Sequence, residues 1–323
     1  MAPAEHAGPD ISVIIPAFNE QENVPILFQK LLSALGTLNL CYELIFVDDG
    51  STDQTPAVLD NLAEGNSVAK VIHLARNFGQ TAAITAGIDA ASGRILVTLD
   101  ADLQNDPQDI GVLLSKLDSG FDVVSGWRKD RKDLFLTRIL PSLIANRLIS
   151  MISGVRLHDY GCSLKAYRRD VLEGVRLYGE MHRFVPFYAA WMGARVTEVP
   201  VQHHRRTHGS SKYGLSRIVK VLLDLLTIKF LFDYGTKPSY VFGTLGLTSI
   251  GLSLLAFAWA VVLKLFFATS LIQTPLPLLT VLLFTVGVQL ILMGLLAEVL
   301  VRTYHESQDK RIYVIKGTQN IRK

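Results

Sequence analysis

Two long uncharged runs near the carboxyl end constrain this chain more than any other feature. From Ser239 to Leu263 no charged residue occurs, and a second uncharged run extends from Thr269 to Ala297, broken only by Pro275 and Pro277. About 20 apolar helical residues cross a bilayer, so the runs predict a hairpin with transmembrane helix 1 over 239–268 and helix 2 over 275–301. The alternative is a pair of buried helices in a soluble fold, where uncharged stretches of this length are rare. The runs also raise the mean hydropathy to +0.30 and the apolar fraction to 49%, above the level of an ordinary soluble domain.

The flanks orient the hairpin. Arg217, Lys220, Lys229 and Lys237 precede it, and Arg302, Lys310, Arg311, Arg322 and Lys323 follow it. The excess of cations on cytoplasmic loops predicts that both flanks, and both termini, face the cytoplasm. Lys264 is placed to snorkel outward, while Glu298 needs a partner or the interface. Residues 1–10 read as a disordered leader without an apolar targeting run, so the large leading domain is expected in the cytosol. Cys41 and Cys162 suggest neither a disulfide framework nor a zinc site and read as reduced small hydrophobes. A net charge of +3 suits an anionic membrane face, and no nucleic-acid-binding motif occurs.

Ahead of the hairpin, apolar strands alternate with helical segments. Ile11 to Ile15 ends in Pro16, Ala17, Phe18, Asn19 and Glu20, and a helix follows from about Glu22. Glu43 to Val47 delivers Asp48, Asp49, Gly50, Ser51, Thr52 and Asp53, and Val68 to Leu74 leads into Arg76, Asn77, Phe78 and Gly79. Ile95 to Val97, without alternation, delivers Thr98, Leu99, Asp100, Ala101, Asp102, Leu103 and Gln104, and Asp122 to Ser125 continues the rhythm. The pattern predicts a mostly parallel α/β sheet covered on both faces, with ligands bound beyond the carboxyl ends of the strands.

The clusters at those ends narrow the chemistry. Neither a Gly-x-Gly-x-x-Gly turn nor a P-loop is present, which argues against nicotinamide binding and ATP hydrolysis. Asp100 and Asp102 offer hard oxygen ligands for Mg²⁺ or Mn²⁺, with phosphate completing the shell; the competing reading is a strand end followed by a helix cap. Asp48 and Asp49 suit hydrogen bonds from a base or ribose, although Asp49 through Asp53 also fit ordinary turn chemistry. Arg76 and Asn77 border a small-residue helix over Gly79–Ala91, so a binding and a structural role both stay open.

Together, Pro16-Ala-Phe-Asn-Glu20, Val47-Asp-Asp-Gly-Ser-Thr-Asp53, Arg76-Asn-Phe-Gly79 and Asp100-Ala-Asp102-Leu-Gln104 resemble the family 2 glycosyltransferases. The chain is similar to the branch that charges polyisoprenyl phosphates, which includes dolichyl-phosphate mannose synthase and bacterial undecaprenyl-phosphate glycosyltransferases. The resemblance implies a GT-A (Rossmann-like) nucleotide-sugar domain over 11–214, interfacial amphipathic helices and the two-helix hairpin. It implies that Pro16, Asn19, Glu20, Asp48, Asp49, Arg76, Asn77, Asp100 and Gln104 bind the donor nucleotide, that Asp100 and Asp102 hold the metal, and that Asp159 with Asp102 is catalytic. The donor it implies is a UDP-sugar, glucose by default, with GDP-mannose or a UDP-aminoarabinose derivative as alternatives. The acceptor is undecaprenyl phosphate in a bacterial inner membrane, or dolichyl phosphate otherwise.

After Gly126 the chain turns basic and amphipathic. Arg138, Ser142, Asn146 and Ser150 recur on one side of a predicted interfacial helix over 134–151, and a second is predicted over 215–234. Packing against the catalytic domain is the alternative for the first. His158 to Tyr167 and Arg206 to Tyr213 both match the lipid-phosphate branch. Arg206, Ser211 and Lys212, joined by Arg128 and Arg131, suit an acceptor phosphate, or simply form a solvated basic loop. His203, His204 and His208 are left unassigned.

The reaction expected is an inverting displacement by a lipid phosphate that is already largely dianionic, so Asp159 either takes a proton or orients a sugar hydroxyl or a cation. A processive polysaccharide synthase is disfavoured because the Gln-x-x-Arg-Trp motif and additional spans are missing. A flippase lacks an evident pathway, and a lipid-binding module has no need of the aspartate pair. In the tail, 302–323, Arg311 to Ile315 is a strand candidate that either frays or joins a sheet edge. The resemblance implies a homo-oligomer, a tetramer, with tails paired between protomers.

Overall fold

A computed structural model of the chain describes residues 8–129, 146–147, 149–150, 154–172, 181–204, 239–267, 270–307 and 313–321. Two units emerge, Met1–Leu225 with Arg311–Lys323 and Leu226–Lys310.

In the first unit, β1 (Ile11–Ala17), β2 (Tyr42–Asp48), β3 (Ala69–Leu74) and β4 (Ile95–Thr98) form the parallel centre of the sheet, ordered β4-β1-β2-β3. Their unbroken Ile, Leu and Val runs follow from burial on both faces. Helices α1 (Asn23–Gly36) and α2 (Thr55–Gly65) cover one face. Val24, Leu27, Phe28, Leu31 and Leu35 recur at helical spacing on α1 and are buried against Val13, Ile15, Leu44 and Phe46. Helix α3 (Gln80–Ala90) covers the other face with Ala82, Ala83 and Ala86, small residues that let it lie close to Ile14, Ile45 and Ile72.

This order reverses direction between β1 and β4, the crevice where open α/β sheets bind ligands. Register brings the strand ends level there: Ala17 lies opposite Asp48 and Ile14 opposite Thr98, while Asp49 N donates to Ala17 O and Leu99 N to Ile14 O.

Beyond β4 one reversed strand enters a sheet that is otherwise mostly parallel, as expected. Helix α4 (Ile110–Asp118) leads to β5 (Val123–Trp127), and β6 (Lys165–Arg168) inserts antiparallel between β4 and β5. Helix α5 (Val185–Trp191) then precedes β7 (Val196–Pro200), which runs parallel to β5.

In the second unit, α6 (Ser239–Phe267) and α7 (Leu276–Ser307) pack as a hairpin through a short 3₁₀ turn, Leu271–Gln273. Val241–Phe267 and Leu276–Ala297 are long and apolar enough to cross a membrane. Only 11% of each window is buried, so Leu254, Leu255, Phe266, Leu282 and Leu295 face outward. Small residues join the pair. A Cβ on Gly246 would lie 2.7 Å from Gly287 O, Ser249 Oγ donates to Leu283 O at 2.7 Å, and Ser253 Oγ donates to Thr280 O at 2.8 Å.

The tail strand is displaced from its expected position. Strand β8 is Ile315–Gln319, preceded by Tyr313 and Val314 of the expected Arg311–Ile315 run, whose residues 311 and 312 lie outside the described residues, and it pairs antiparallel with β3 of its own chain. Its polar sequence is held by backbone pairing, while the apolar signal upstream marks Tyr313, which is buried and donates to Asp89 Oδ2 at 2.6 Å. Of the interfacial helix at 134–151, the described residues 146, 147, 149 and 150 are helical. Asn146, read as part of the polar stripe, is buried and donates to His158 O at 2.7 Å. The helix predicted over 215–234 lies outside the described residues.

Candidate active site

The loops after β1 and β2 are tied to one another. Asn19 takes a left-handed conformation, φ 56°, which polar Asn tolerates better than most residues. Its N–H donates to Ser51 Oγ at 2.9 Å and its Oδ1 accepts from Thr52 N at 2.8 Å. Glu20 N donates to Thr55 Oγ1 at 2.9 Å, and its Oε2 accepts from Asn23 Nδ2 at 2.5 Å. Pro16 lies beside Val47 in the β1–β2 register.

Asp48 and Asp49 diverge in use. Asp48 Oδ1 accepts from Ser51 N at 2.9 Å, and Oδ2 meets His73 Nδ1 at 3.0 Å. Burial pushes this carboxyl up, but the His73 and Ser51 hydrogen bonds outweigh burial and hold it below its ordinary value. Asp49 accepts from Phe78 N at 2.7 Å and Gly79 N at 2.9 Å, clamping the loop that enters α3. Burial prevails there and raises its pKa. Gly50, φ 67°, lets the β2 loop pass against the next one: a Cβ there would lie 2.3 Å from Arg76 C. Arg76 and Asn77 are exposed, and the Arg76 guanidinium lies 4.2 Å from the Phe78 ring centre.

Asp100 and Asp102 follow β4, half-buried, with Ala101 and Leu103 packed inward between and beside them. Leu103 adopts φ 61°, and Gln104 N donates to Asp102 Oδ1 at 3.2 Å. Gln80, the first residue of α3, donates to Asp100 Oδ1 at 2.6 Å. The two carboxylates fit a hard divalent cation in chemistry. Among the described residues no group of three His, Cys, Asp or Glu side chains converges on a metal site; diphosphate oxygens and water have the hard oxygen character that would complete such a shell.

At the end of β5, Arg128 grips Asp159 with a fork, Nε to Oδ2 at 2.7 Å and Nη2 to Oδ1 at 3.0 Å. Gly161 N donates to Asp159 Oδ1 at 3.0 Å. Asp159 is buried. Lys165 lies beneath, also buried, donating to Tyr160 O at 3.1 Å; burial lowers its pKa to about 8.

The geometry thus ties Asn19 to the turn held by Asp48, sets Asp49 and Asp100 against the start of α3 through Gly79 and Gln80, and joins Arg128 to Asp159. Arg131, Arg206, Ser211 and Lys212 lie outside the described residues. Sequence reasoning missed Gln80, His73 and Lys165. For Gln80 there was one signal, a polar residue opening an otherwise small-residue helix. His204 is accounted for by Asp106, 3.1 Å from its Nε2.

The family model "Glycosyl transferase family 2" matches residues 12–176. The chain belongs to this family. Over 311 residues it is 42% identical to the dodecaprenyl-phosphate galacturonate synthase of Rhizobium johnstonii, spanning 95% of this chain and 92% of that one. It is 36% identical over 313 residues to the undecaprenyl-phosphate 4-deoxy-4-formamido-L-arabinose transferase of Edwardsiella ictaluri, spanning 95% and 93%. Among solved structures, glucosyl-3-phosphoglycerate synthase from Mycobacterium tuberculosis, in complex with Mn²⁺ and UDP-glucose, aligns with a TM-score of 0.50 at 21% identity, over 69% of this chain and 79% of that one. The family resemblance drawn from the strand-end motifs therefore holds, as does the GT-A fold.

Proposed function

We propose that this family 2 glycosyltransferase moves one sugar from a UDP-sugar to a polyprenyl phosphate, with inversion at the anomeric carbon. One observation carries the reading: two relatives aligned over 95% of the chain are both named for transfer onto a polyprenyl phosphate, while their sugars differ. The shared lipid class sets the acceptor. Galacturonate and formamido-arabinose, not glucose, are the sugars those relatives carry, so a uronate or a modified pentose takes precedence over the glucose expected from the motifs.

In the step proposed, a lipid phosphate oxygen bonds to the anomeric carbon as the bond from that carbon to the diphosphate oxygen breaks, and the electron pair departs with the nucleotide diphosphate. The attacking phosphate, with a second pKa of about 6, needs no strong base at neutral pH. Asp159 accordingly acts through Arg128, orienting its guanidinium toward incoming phosphate. Asp100 and Asp102 hold the divalent cation, Mg²⁺ or Mn²⁺, which when bound neutralises charge on the leaving diphosphate. Asn19, Glu20, Asp48 and Asp49 shape the nucleotide side, and Arg131, Arg206, Ser211 and Lys212 belong to the acceptor side of the same proposal. The membrane orientation with both termini cytoplasmic, and a homotetramer, complete it.

The test is mass spectrometry of lipids after incubation of the purified chain with undecaprenyl phosphate, Mg²⁺ or Mn²⁺, and in turn UDP-galacturonate, UDP-formamido-arabinose, UDP-glucose and GDP-mannose. One glycosyl-phosphate lipid from one donor, lost with EDTA and with Asp102→Asn, is the expected result. A polymer would indicate a processive synthase. No lipid product from any donor, in a folded protein that binds UDP, would overturn the acceptor assignment.

A further inference from the structure

We infer that His73 is a positioning residue of the donor site: held as an imidazolium between Asp48 and Asp60, it fixes the loop that carries Ser51, and nucleotide affinity falls as its proton is lost. The inference rests on the strand-end cluster binding a nucleotide diphosphate, as proposed above.

The argument begins with a count of hydrogens. His73 Nδ1 is 3.0 Å from Asp48 Oδ2, and Nε2 is 2.9 Å from Asp60 Oδ1. A neutral imidazole carries one N–H and one lone pair, whereas ionised carboxylates only accept. Both contacts are hydrogen bonds only when the ring is protonated. The ring is mostly enclosed, with the side chains of His73 and Asp48 15% and 3% exposed. A lone pair turned toward either carboxylate there would meet repulsion with little water to screen it.

Among the described residues the groups facing the ring are carboxylates. From β2 the facing group is Asp48, with Asp49 next in sequence, and from α2 it is Asp60. Glu64, one turn further along α2, is exposed. Strand β8 sets Gly317 opposite His73, and its neighbour Lys316 is exposed to solvent. Asp48 is the largest influence raising the His73 pKa, burial opposes it, and Asp60 adds to the rise.

From the ring, contacts run outward into the site. Asp48 Oδ1 takes the Ser51 N–H at 2.9 Å, Ser51 Oγ takes the Asn19 N–H at 2.9 Å, and Asn19 Oδ1 takes the Thr52 N–H at 2.8 Å. Holding Asp48 in place therefore holds the turn joining the ends of β1 and β2. The sign follows from the raised pKa. Both bonds are present together below the ordinary histidine value of 6.5, and one of them is lost as pH rises through the higher folded value. Asp48, depressed, stays ionised throughout that range. Once the ring is neutral, one carboxylate loses its donor, the competent loop is less populated, and apparent affinity drops in proportion.

The test uses the full chain in detergent and UDP with Mg²⁺ as the probe, with calorimetric Kd from pH 5.5 to 9 and transfer kinetics alongside. Kd and donor KM should weaken above the His73 transition, by up to about tenfold per pH unit, the limit for one proton, while kcat holds. Asp60→Asn changes a group 37% exposed on α2, away from donor and acceptor, and keeps an acceptor oxygen for Nε2. It should shift the transition to lower pH, and His73→Gln should flatten the profile. An Asp60→Asn profile superposed on the wild type would overturn the inference. UDP binding with the expected pH profile but without any lipid product would sink the acceptor assignment and leave this inference standing. UDP that fails to bind at any pH would overturn both.

Discussion

Replacing Arg128 with Met removes the guanidinium that donates to both oxygens of Asp159. The Asp159 side chain is 3% exposed and that of Arg128 13%. Gly161 N at 3.0 Å and the long contact from Arg128 N at 3.4 Å are among the donors that stay with the carboxylate. Removing one partner of a buried pair costs about 3–5 kcal/mol, and the retained backbone donors put this case near the lower end. Asp159→Asn removes the carboxylate from a cation that has somewhat better access to water, at a cost of about 1–3 kcal/mol. The double variant removes both members of the fork, so its loss should fall short of the summed single losses by about 1–2 kcal/mol. Urea unfolding followed by tryptophan emission reads this, with Trp127 reporting from its stack on His158, ring centres 4.4 Å apart. Losses that add would refute the coupling. Transfer assays give a second arm: if Asp159 acts through Arg128, the two single variants lose transfer to a similar extent and the double is little worse. Asp159→Asn falling orders of magnitude below Arg128→Met would instead identify a base.

Two further outcomes follow from burial and packing. Lys165 has a folded pKa of about 8 against 10.5 ordinarily, so between those values the unfolded chain binds its proton more tightly and stability climbs with pH. The full climb is roughly 3 kcal/mol, and urea midpoints from pH 7.5 to 9.5 should show its first part in the wild type but not in Lys165→Met. In the hairpin, Gly246→Leu would drive a side chain into Gly287 O and Ile291, each 2.7 Å from a Cβ there. Cysteine pairs introduced across α6 and α7 should then crosslink poorly, whereas Leu247→Ala, at an exposed position, should leave crosslinking unchanged.

What sequence revealed was what is local. Acid at the end of an apolar strand is a short-range pattern, and β1, β2 and β4 each carry it within a few residues, so Asp48, Asp49, Asp100 and Asp102 could be placed on one edge. The membrane-length helices were equally legible because composition alone defines them. Partnerships across elements were not. Gln80 meets Asp100 only because α3, packed against β1 and β2, starts beside the end of β4, and His73 finds Asp60 only because α2 lies over β3. The four residues of β6 read as part of a motif because their strand character depends on the gap between β4 and β5. Asn146 looked like a surface residue by helical spacing, yet its amide is satisfied by a loop 12 residues away. Edge strand β8 needs no apolar pattern, since pairing with β3 is made by backbone groups.

That last strand sets a timetable for biosynthesis. The ribosome must make both long apolar helices before Ile315–Gln319 exists, so β3 waits with an open edge. At about 5–20 residues per second, the interval is roughly 10–50 s. Unpaired strand edges invite association with other chains, and throughout that interval the nascent domain is exposed to the hazard while its hairpin is being delivered to the membrane. A stop codon ahead of Ile315 would prolong that exposure indefinitely, and the harm would surface as aggregation in the cell before any loss of turnover per folded molecule.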